Sequence, residues 1–461
     1  MISFNDVSEQ LYIPEEQIKD IYNASKGKSK KEQAQIVKAN VEHYRKELDK
    51  RLKNNTFAPK RHKTKIIQEN SCKKTRKIVK PQYMYEQMAH HSVMRVFVPI
   101  AMRGMYYHVY GSIPGKGVHR GKRTVERWIR EDSRNCKYIY KLDIRHFFES
   151  VPHRRLKKAL KRKIRDRELL KKLFIIIDSH KPGLPLGYYP SQWFGNFYLQ
   201  PLDHFIMEQL HVKHYIRYMD DMVIFGNNKK ELHKVRMQIE KFITEELGLQ
   251  IKKNWQVFRF DYVDRKGKRR GRPLDFMGFK FYRDRTTIRK SILQGIRGKV
   301  NRVKRKEKIT WVDAGSLLSR LGWIWHSDTY AYYERYIKPY VKVKVLKRWF
   351  QSTQERRMNA MEWYAAESTA EEKPKELDIT SSPHLVYKRR NIEKVPMSNE
   401  NEESMAGEKW VYEECMQDKE EYESQQAELL SPTTEAIMQE ISALQMQQTE
   451  TQITLEMLME Q

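Results

Sequence analysis

Cysteine is nearly missing from this chain. There are 3 in 461 residues, Cys72, Cys136 and Cys415, and no two stand close enough to form a CxxC pair. That argues against a disulfide framework and a structural zinc knuckle, and fits a reducing cytosol. Long apolar runs are missing too: nowhere do about 18 apolar residues follow one another, so no membrane span is expected. The first residues, MISFNDVSEQLYIPEEQ, show no basic stretch leading into an apolar one, so no export signal is expected and the protein is read as cytoplasmic.

Acidic residues are scarce in most of the chain. Lys and Arg number 89 against 59 Asp and Glu, a formal net charge of +30. Residues 351–461 hold 24 acidic and 10 basic residues, which leaves 35 acidic and 79 basic in residues 1–350, a net charge of +44. A cationic body with an acidic tail points to a polyanion partner, because Lys and Arg that neutralise phosphates release counterions. A basic solubilising surface or adhesion to a membrane surface are the plainer readings. Interleaved aromatics such as GWIWHSDTYAYYERY favour nucleic acid, since bases stack on them.

Hydrophobic periodicity predicts a helical segment over 14–54, with Ile36, Val37, Val41 and Leu48 near one face, then a strand in TRKIVKP (75–81) and a helix through YEQMAHHSVMRVFVPI. KYIYKLDIRHFFES (137–150) reads as a strand entering a turn, followed by a basic amphipathic helix over 154–177. Helices are expected at about 190–210 and 228–247, flanking a hairpin in YIRYMDDMVIFG (215–226), and residues 288–350 read as a basic helical unit. From residue 351 the composition turns to Glu, Gln, Ser and Met, which marks a linker and an appendage.

The hairpin sets Asp220 and Asp221 side by side between two apolar runs, and Asp143 ends another apolar strand. If those strands are neighbours, three carboxylates meet and repel unless cations sit between them. Two Mg²⁺ ions, with Mn²⁺ as a substitute, would relieve that repulsion and suit in-line displacement at phosphorus. The plainer reading of Asp220 and Asp221 is a polar hairpin turn.

In this order and spacing, KLDIRHFF and YMDD resemble the first and second catalytic motifs of reverse transcriptases, over about residues 60–350. The resemblance implies an α+β right-hand polymerase: fingers, a palm with an antiparallel sheet and a helical thumb, carrying an acidic C-terminal appendage. The implied divisions are a helical extension (1–60), fingers and palm (61–285), thumb (286–350), linker (351–382) and a tail segment (383–461). Asp143 and Asp220 would ligate both metals and Asp221 would complete the cluster. Phe148 falls where the family places the aromatic that blocks a ribose 2′-OH, and core packing is its plainer role. KTRKI resembles the fingers hairpin, so Lys74 and Arg76 would clamp a triphosphate, or else stand on a solvated strand edge. DFMGFKF resembles the primer-grip turn, with Gly278 at its bend. The lysine that protonates leaving pyrophosphate lies in LGLQIKKNWQVF, with Lys253 favoured over Lys252. The implied partners are an RNA template, a DNA or RNA primer and dNTPs, with a noncoding RNA or a small accessory protein as further candidates.

GLPLGYYPSQWFGNFYL occupies the slot where most of the family carries Gln-Gly beside the nascent base pair. Here Leu186, Gly187, Ser191 and Gln192 follow a pattern similar to the reverse transcriptases of diversity-generating retroelements; Gly187 is equally read as a tight-turn glycine. Ile113 stands where the family usually has Arg, with Lys116 the nearby cation. No His-Asn-His or Cys-rich endonuclease region is seen. Residues 383–461 resemble short acidic proteins encoded near phage tail genes, or else form a disordered linker ending in a helix at about 433–448. An antiphage-defence reverse transcriptase and a non-catalytic, maturase-like RNA-binding protein are the alternatives. His90, His91, His119 and His326 lack metal-ligand spacing and are read as packing or backbone contacts.

Overall fold

Three helices form where the sequence predicts one helical stretch over 14–54: α1 (Pro14–Ser25), α2 (Glu32–Ala39) and α3 (Val41–Asn54). Proline opens α1, where its missing N–H costs nothing, and α3 stops at Asn55 in the left-handed conformation (φ 59°). The break at Asn40 separates α2 from α3, so the expected common face is split. Val37 and Leu48 are buried, whereas Ile36 is exposed. This computed structural model describes residue 4 and residues 6–351 apart from 29–30, 59–61, 70–73, 307–308 and 349. The expectations for residues 352–461, including the helix at 433–448, lie outside the described residues.

Strands β1 (Lys63–Glu69) and β2 (Lys74–Lys80) make a hairpin whose side chains are largely exposed until Val79 docks against the body. Then come α4 (Met88–Met102), apolar on most of its surface and buried accordingly, and α5 (Val118–Glu131), buried along one stripe. Strand β3 (Tyr138–Asp143) runs into the short α6 (Phe147–Ser150), then α7 (His153–Lys163) and α8 (Arg167–Asp178). A single helix over 154–177 is therefore not what forms. The chain breaks at Ile164–Asp166 because the amides of Arg165 and Asp166 donate to the Phe4 carbonyl, and the Asp166 carboxylate caps α8 at the Leu169 N–H, 2.9 Å away.

After α9 (Tyr189–His204), strands β4 (His214–Tyr218) and β5 (Asp221–Gly226) form the expected hairpin, followed by α10 (Lys229–Glu245) and β6 (Gln256–Arg259). β4-β5-β3-β6 is the strand order of one antiparallel sheet. Alternation divides its residues between two cores. Tyr140, Leu142, Tyr215, Met222 and Ile224 face α4 and α7–α10; Ile139, Ile216, Val223 and Phe225 face α5.

A small ribbon, β7 (Tyr262–Val263) with β8 (Arg269–Arg270), precedes β9 (Leu274–Phe276), β10 (Phe279–Phe281) and β11 (Thr286–Ile288). β9 and β10 send Leu274, Phe276, Phe279 and Phe281 into the α5 side of the core. β11 pairs with β10, so a division after residue 285 cuts through a sheet; the helical unit starts at α11 (Lys290–Lys304) and continues through α12 (Trp311–Trp325) and α13 (Tyr330–Tyr336) around its own apolar core. Among the described residues no helix is long and apolar enough to cross a membrane.

Candidate active site

Register brings the carboxylates together. Asp143, the last residue of β3, pairs with Asp221, the first of β5, and Asp220 stands in the turn between β4 and β5. Asp143 and Asp221 share the strand parity of Ile139 and Val223, so they face the same side of the sheet as α5. The turn is strained at Met219, a non-glycine residue with φ 56°. Two neighbours hold it. A side chain on Gly111 would strike the Met219 nitrogen at 2.6 Å, and the Arg217 guanidinium donates to the Met219 carbonyl at 3.1 Å.

Arg217 itself is completely buried. It points to the helical side of the sheet, where α9 supplies two side-chain partners: Asp203 accepts at 2.7 and 2.5 Å and Asn196 at 2.9 Å. Tyr215 donates to the same Asp203 at 2.7 Å. Burial alone would make such a charge costly, and the bidentate pairing offsets it.

The three acids carry strong mutual effects. Burial raises the Asp220 carboxyl to about 7, reinforced by the negative charge of Asp143 beside it. Burial also raises Asp221 to about 6, against the opposing pull of Lys141. Lys141 lies 3.4 Å from Asp221 and donates to the Asp275 carbonyl at 2.5 Å, while Lys252 bonds to Asp143. Among the described residues, no group of three His, Cys, Asp or Glu stands ready to hold a metal ion as arranged. The lysines occupy the carboxylates instead. Even so, Asp143 Oδ1 and Asp221 Oδ1 are buried without a hydrogen-bond partner. Orphaned oxygens on hard carboxylate donors fit Mg²⁺ or Mn²⁺.

Lys253 is not the lysine that reaches this cluster, contrary to expectation. Ile251 bridges Ile144, and the Lys252 amide donates to the Asp143 carbonyl at 2.8 Å, which turns the Lys252 side chain inward and leaves Lys253 exposed. In the sequence the two adjacent lysines look alike.

Phe148, Leu186, Gly187 and Gln192 do come together, around a cavity of about 280 Å³ that Ser191, Tyr188 and Tyr189 also line. The Val79 N–H donates to the Leu186 carbonyl at 2.8 Å, fastening β2 to this wall. Gly187 has φ +108°, and any Cβ there would collide with the Val79 carbonyl oxygen and come within 2.6 Å of Ile78. Arg76 stands exposed on β2 opposite Ile67, and Lys74 pairs in register with Glu69, its side chain outside the described residues. Ile113 is buried, and Lys116 donates to the Tyr107 carbonyl at 2.5 Å. Gly278, at φ +88°, turns β9 into β10, and Arg289 at the head of α11 binds Asp275 at 2.5 Å. His90 packs on Tyr188, and His119 lies 4.1 Å from His326, ring to ring.

Arg217, Asp203, Asn196 and Lys141 escape the sequence reading. Arg217 does leave a trace, as a charged residue inside a strand whose neighbours are apolar.

Residues 63–281 match the family described as reverse transcriptase (RNA-dependent DNA polymerase). They form a reverse transcriptase domain. The domain starts at β1 and ends with β10, and it contains all three aspartates. Apo telomerase from Candida tropicalis is similar at 13% identity over 48% of this chain and 47% of its own, with a TM-score of 0.37. Telomerase from Candida albicans, in complex with a TWJ fragment of telomeric RNA, is similar at 12% identity over 64% of this chain and 57% of its own, with a TM-score of 0.36. The chain thus spans about half the length of these telomerase chains. No curated protein matches it.

Proposed function

We propose that the protein copies RNA into DNA, transferring deoxynucleotidyl groups to a primer 3′-hydroxyl on a catalytic centre of Asp143, Asp220 and Asp221. The observation that carries this reading is the pairing of Asp143 with Asp221, with Asp220 in the adjoining turn, inside a reverse transcriptase domain. The three carboxylates would hold two Mg²⁺ ions, which supply activation of the attacking hydroxyl and neutralisation of the leaving pyrophosphate. Lys141 and Lys252 keep the acids paired when no metal is bound and yield when one arrives. We assign Lys252 the proton donated to the leaving group, because it is the lysine at Asp143.

The cavity beside Phe148 suits the incoming nucleotide, with Phe148 excluding a 2′-hydroxyl and Gln192 available as a polar contact. The exposed β1–β2 hairpin would close over it, bringing Lys74 and Arg76 to the triphosphate. The sheet then serves as palm, the hairpin as fingers and α11–α13 as thumb. Leu186 in the cavity wall supports the diversity-generating subtype: an aliphatic residue offers no amide hydrogen bond to the nascent pair and relaxes base selection.

Primer extension on matched RNA and DNA templates with Mg²⁺ tests this. Extension on RNA is expected, with at least a thousand-fold loss in Asp220→Ala. In the same assay Leu186→Gln should lower misincorporation. Tight RNA binding without extension on either template would instead favour a non-catalytic RNA-binding protein.

A further inference from the structure

A second basic surface lies outside the acidic cluster. α5 buries Gly121, Thr124, Val125, Trp128 and Ile129 against the sheet, and the opposite side carries Arg120, Arg123, Arg127 and Arg130, all exposed. Spaced three and four residues apart, they follow one face of the helix for about 15 Å. They line a cavity of about 400 Å³ together with Tyr107, which is 58% exposed. The one acid in its wall, Glu126, is taken by Lys122 at 2.8 Å. Arg120 donates to the Gly115 carbonyl and to the Tyr107 hydroxyl, so part of the wall is already fixed. Arg123 and Arg127 make no hydrogen bond or ion pair among the described residues. The local field is positive enough that the Arg120 hydrogen bond and the neighbouring cations hold the exposed Tyr107 phenol below its ordinary pKa.

We infer that this arginine face is a second RNA site, taking the phosphates of a single strand along α5 while a base stacks on Tyr107. A row of about 15 Å is long enough to meet two or three successive phosphates of one strand. An exposed ring beside guanidinium groups is the combination that tolerates any base sequence. The segment leading into the site continues to the catalytic turn: the Tyr110 N–H donates to the Arg217 carbonyl, and Gly111 abuts Met219. RNA held here is therefore anchored next to the place where it would be copied. The inference rests on polyanion binding by the basic body and does not require that the domain polymerise.

The test uses the full-length protein carrying Asp220→Asn, so that RNA binding is read apart from chemistry. A short single-stranded RNA containing 4-thiouridine is titrated by fluorescence anisotropy across a range of salt and then photo-crosslinked. Crosslinks are expected in peptides spanning residues 107–130. Arg123→Ala with Arg127→Ala should weaken binding at least about five-fold and flatten the log–log salt slope by about 1.4, at about 0.7 per phosphate contact. Arg123→Lys with Arg127→Lys should keep most of that slope, which separates lost charge from a damaged fold. Unchanged affinity and slope, or crosslinks confined to other regions, would overturn the assignment. Tighter RNA binding in the double-alanine variant would overturn it too, since the arginines would then be holding the chain's own acidic residues beyond 351. Primer extension by the parent protein is measured separately, so failure here leaves the polymerase reading standing, and the reverse.

Discussion

Arg217 shows how much a single side chain can decide. Its guanidinium spans from α9 to the turn of the catalytic hairpin, binding Asp203, Asn196 and the Met219 carbonyl. Met219 sits in a left-handed conformation that costs about 1–3 kcal/mol, so something must hold it, and the buried pair does so from below. Asp203→Ala removes the counter-charge and strands a guanidinium in the core, an effect worth about 3–5 kcal/mol. A fall of that size in the unfolding free energy from urea titration is expected, together with lower kcat, because the turn loses its support. Replacing the pair with apolar residues of similar volume, Asp203→Leu with Arg217→Met, should restore much of the stability but not kcat. Recovery of both would show that the pair has no role in placing the turn. Nothing in the spacing of Asp203 and Arg217 betrays their partnership, because it depends on how α9 lies across β4. Asp143 and Asp221 differ in that each ends an apolar strand, and strand pairing can be inferred from such runs.

At the scale of elements, the contact between β2 and the segment opening α9 is the joint on which nucleotide entry depends. The hairpin buries little apart from Val79, so its position rests on the Val79–Leu186 hydrogen bond and on the bare Cα of Gly187. Gly187→Ala adds a methyl group at φ +108°, against the Val79 carbonyl, and must push β2 away. The expected result is a KM for dNTP raised at least about ten-fold with a smaller drop in kcat, and little change in melting temperature, since the hairpin contributes little to the core. An unchanged KM would remove the joint from nucleotide binding. Strand and helix types over 75–81, 137–143, 190–210 and 215–226 follow from periodicity, whereas the breaks at Asn40 and at Ile164–Asp166 do not. The second break depends on Phe4, about 160 residues away in sequence, offering its carbonyl to Arg165 and Asp166. Local patterns carry no record of so distant a contact. Which of Lys252 and Lys253 turns toward Asp143 is of the same kind, set by the bridge from Ile251 to Ile144.

For the whole molecule, buried histidines set the response to acid. Burial lowers His90 to about 3, and His91, His108 and His119 to about 4, against about 6.5 in an unfolded chain. Between about pH 4 and 6.5 the unfolded chain therefore binds protons that the folded one refuses, and stability falls as pH falls through that window. Asp220 and Asp221 oppose this, since their raised values let the folded protein take up protons first. Asp20 and Glu86, also raised by burial, oppose the loss further, while His180 and His326, also lowered by burial, add to it. The balance leaves a net loss on the order of 1 kcal/mol per pH unit near pH 5, after allowing for the partial exposure of the histidines other than His90. Urea unfolding at pH 7, 6 and 5 is expected to show the midpoint falling with pH. Mg²⁺, by keeping the carboxylates ionised, should raise stability at pH 7 and steepen the acid loss. His90→Gln should flatten the slope by up to about one proton's worth, about 1.4 kcal/mol per pH unit, because this residue is fully enclosed beside Tyr188. A midpoint that holds steady from pH 7 to 5 would mean that these rings reach solvent easily, and that the core around α4 and α5 is looser than its packing indicates.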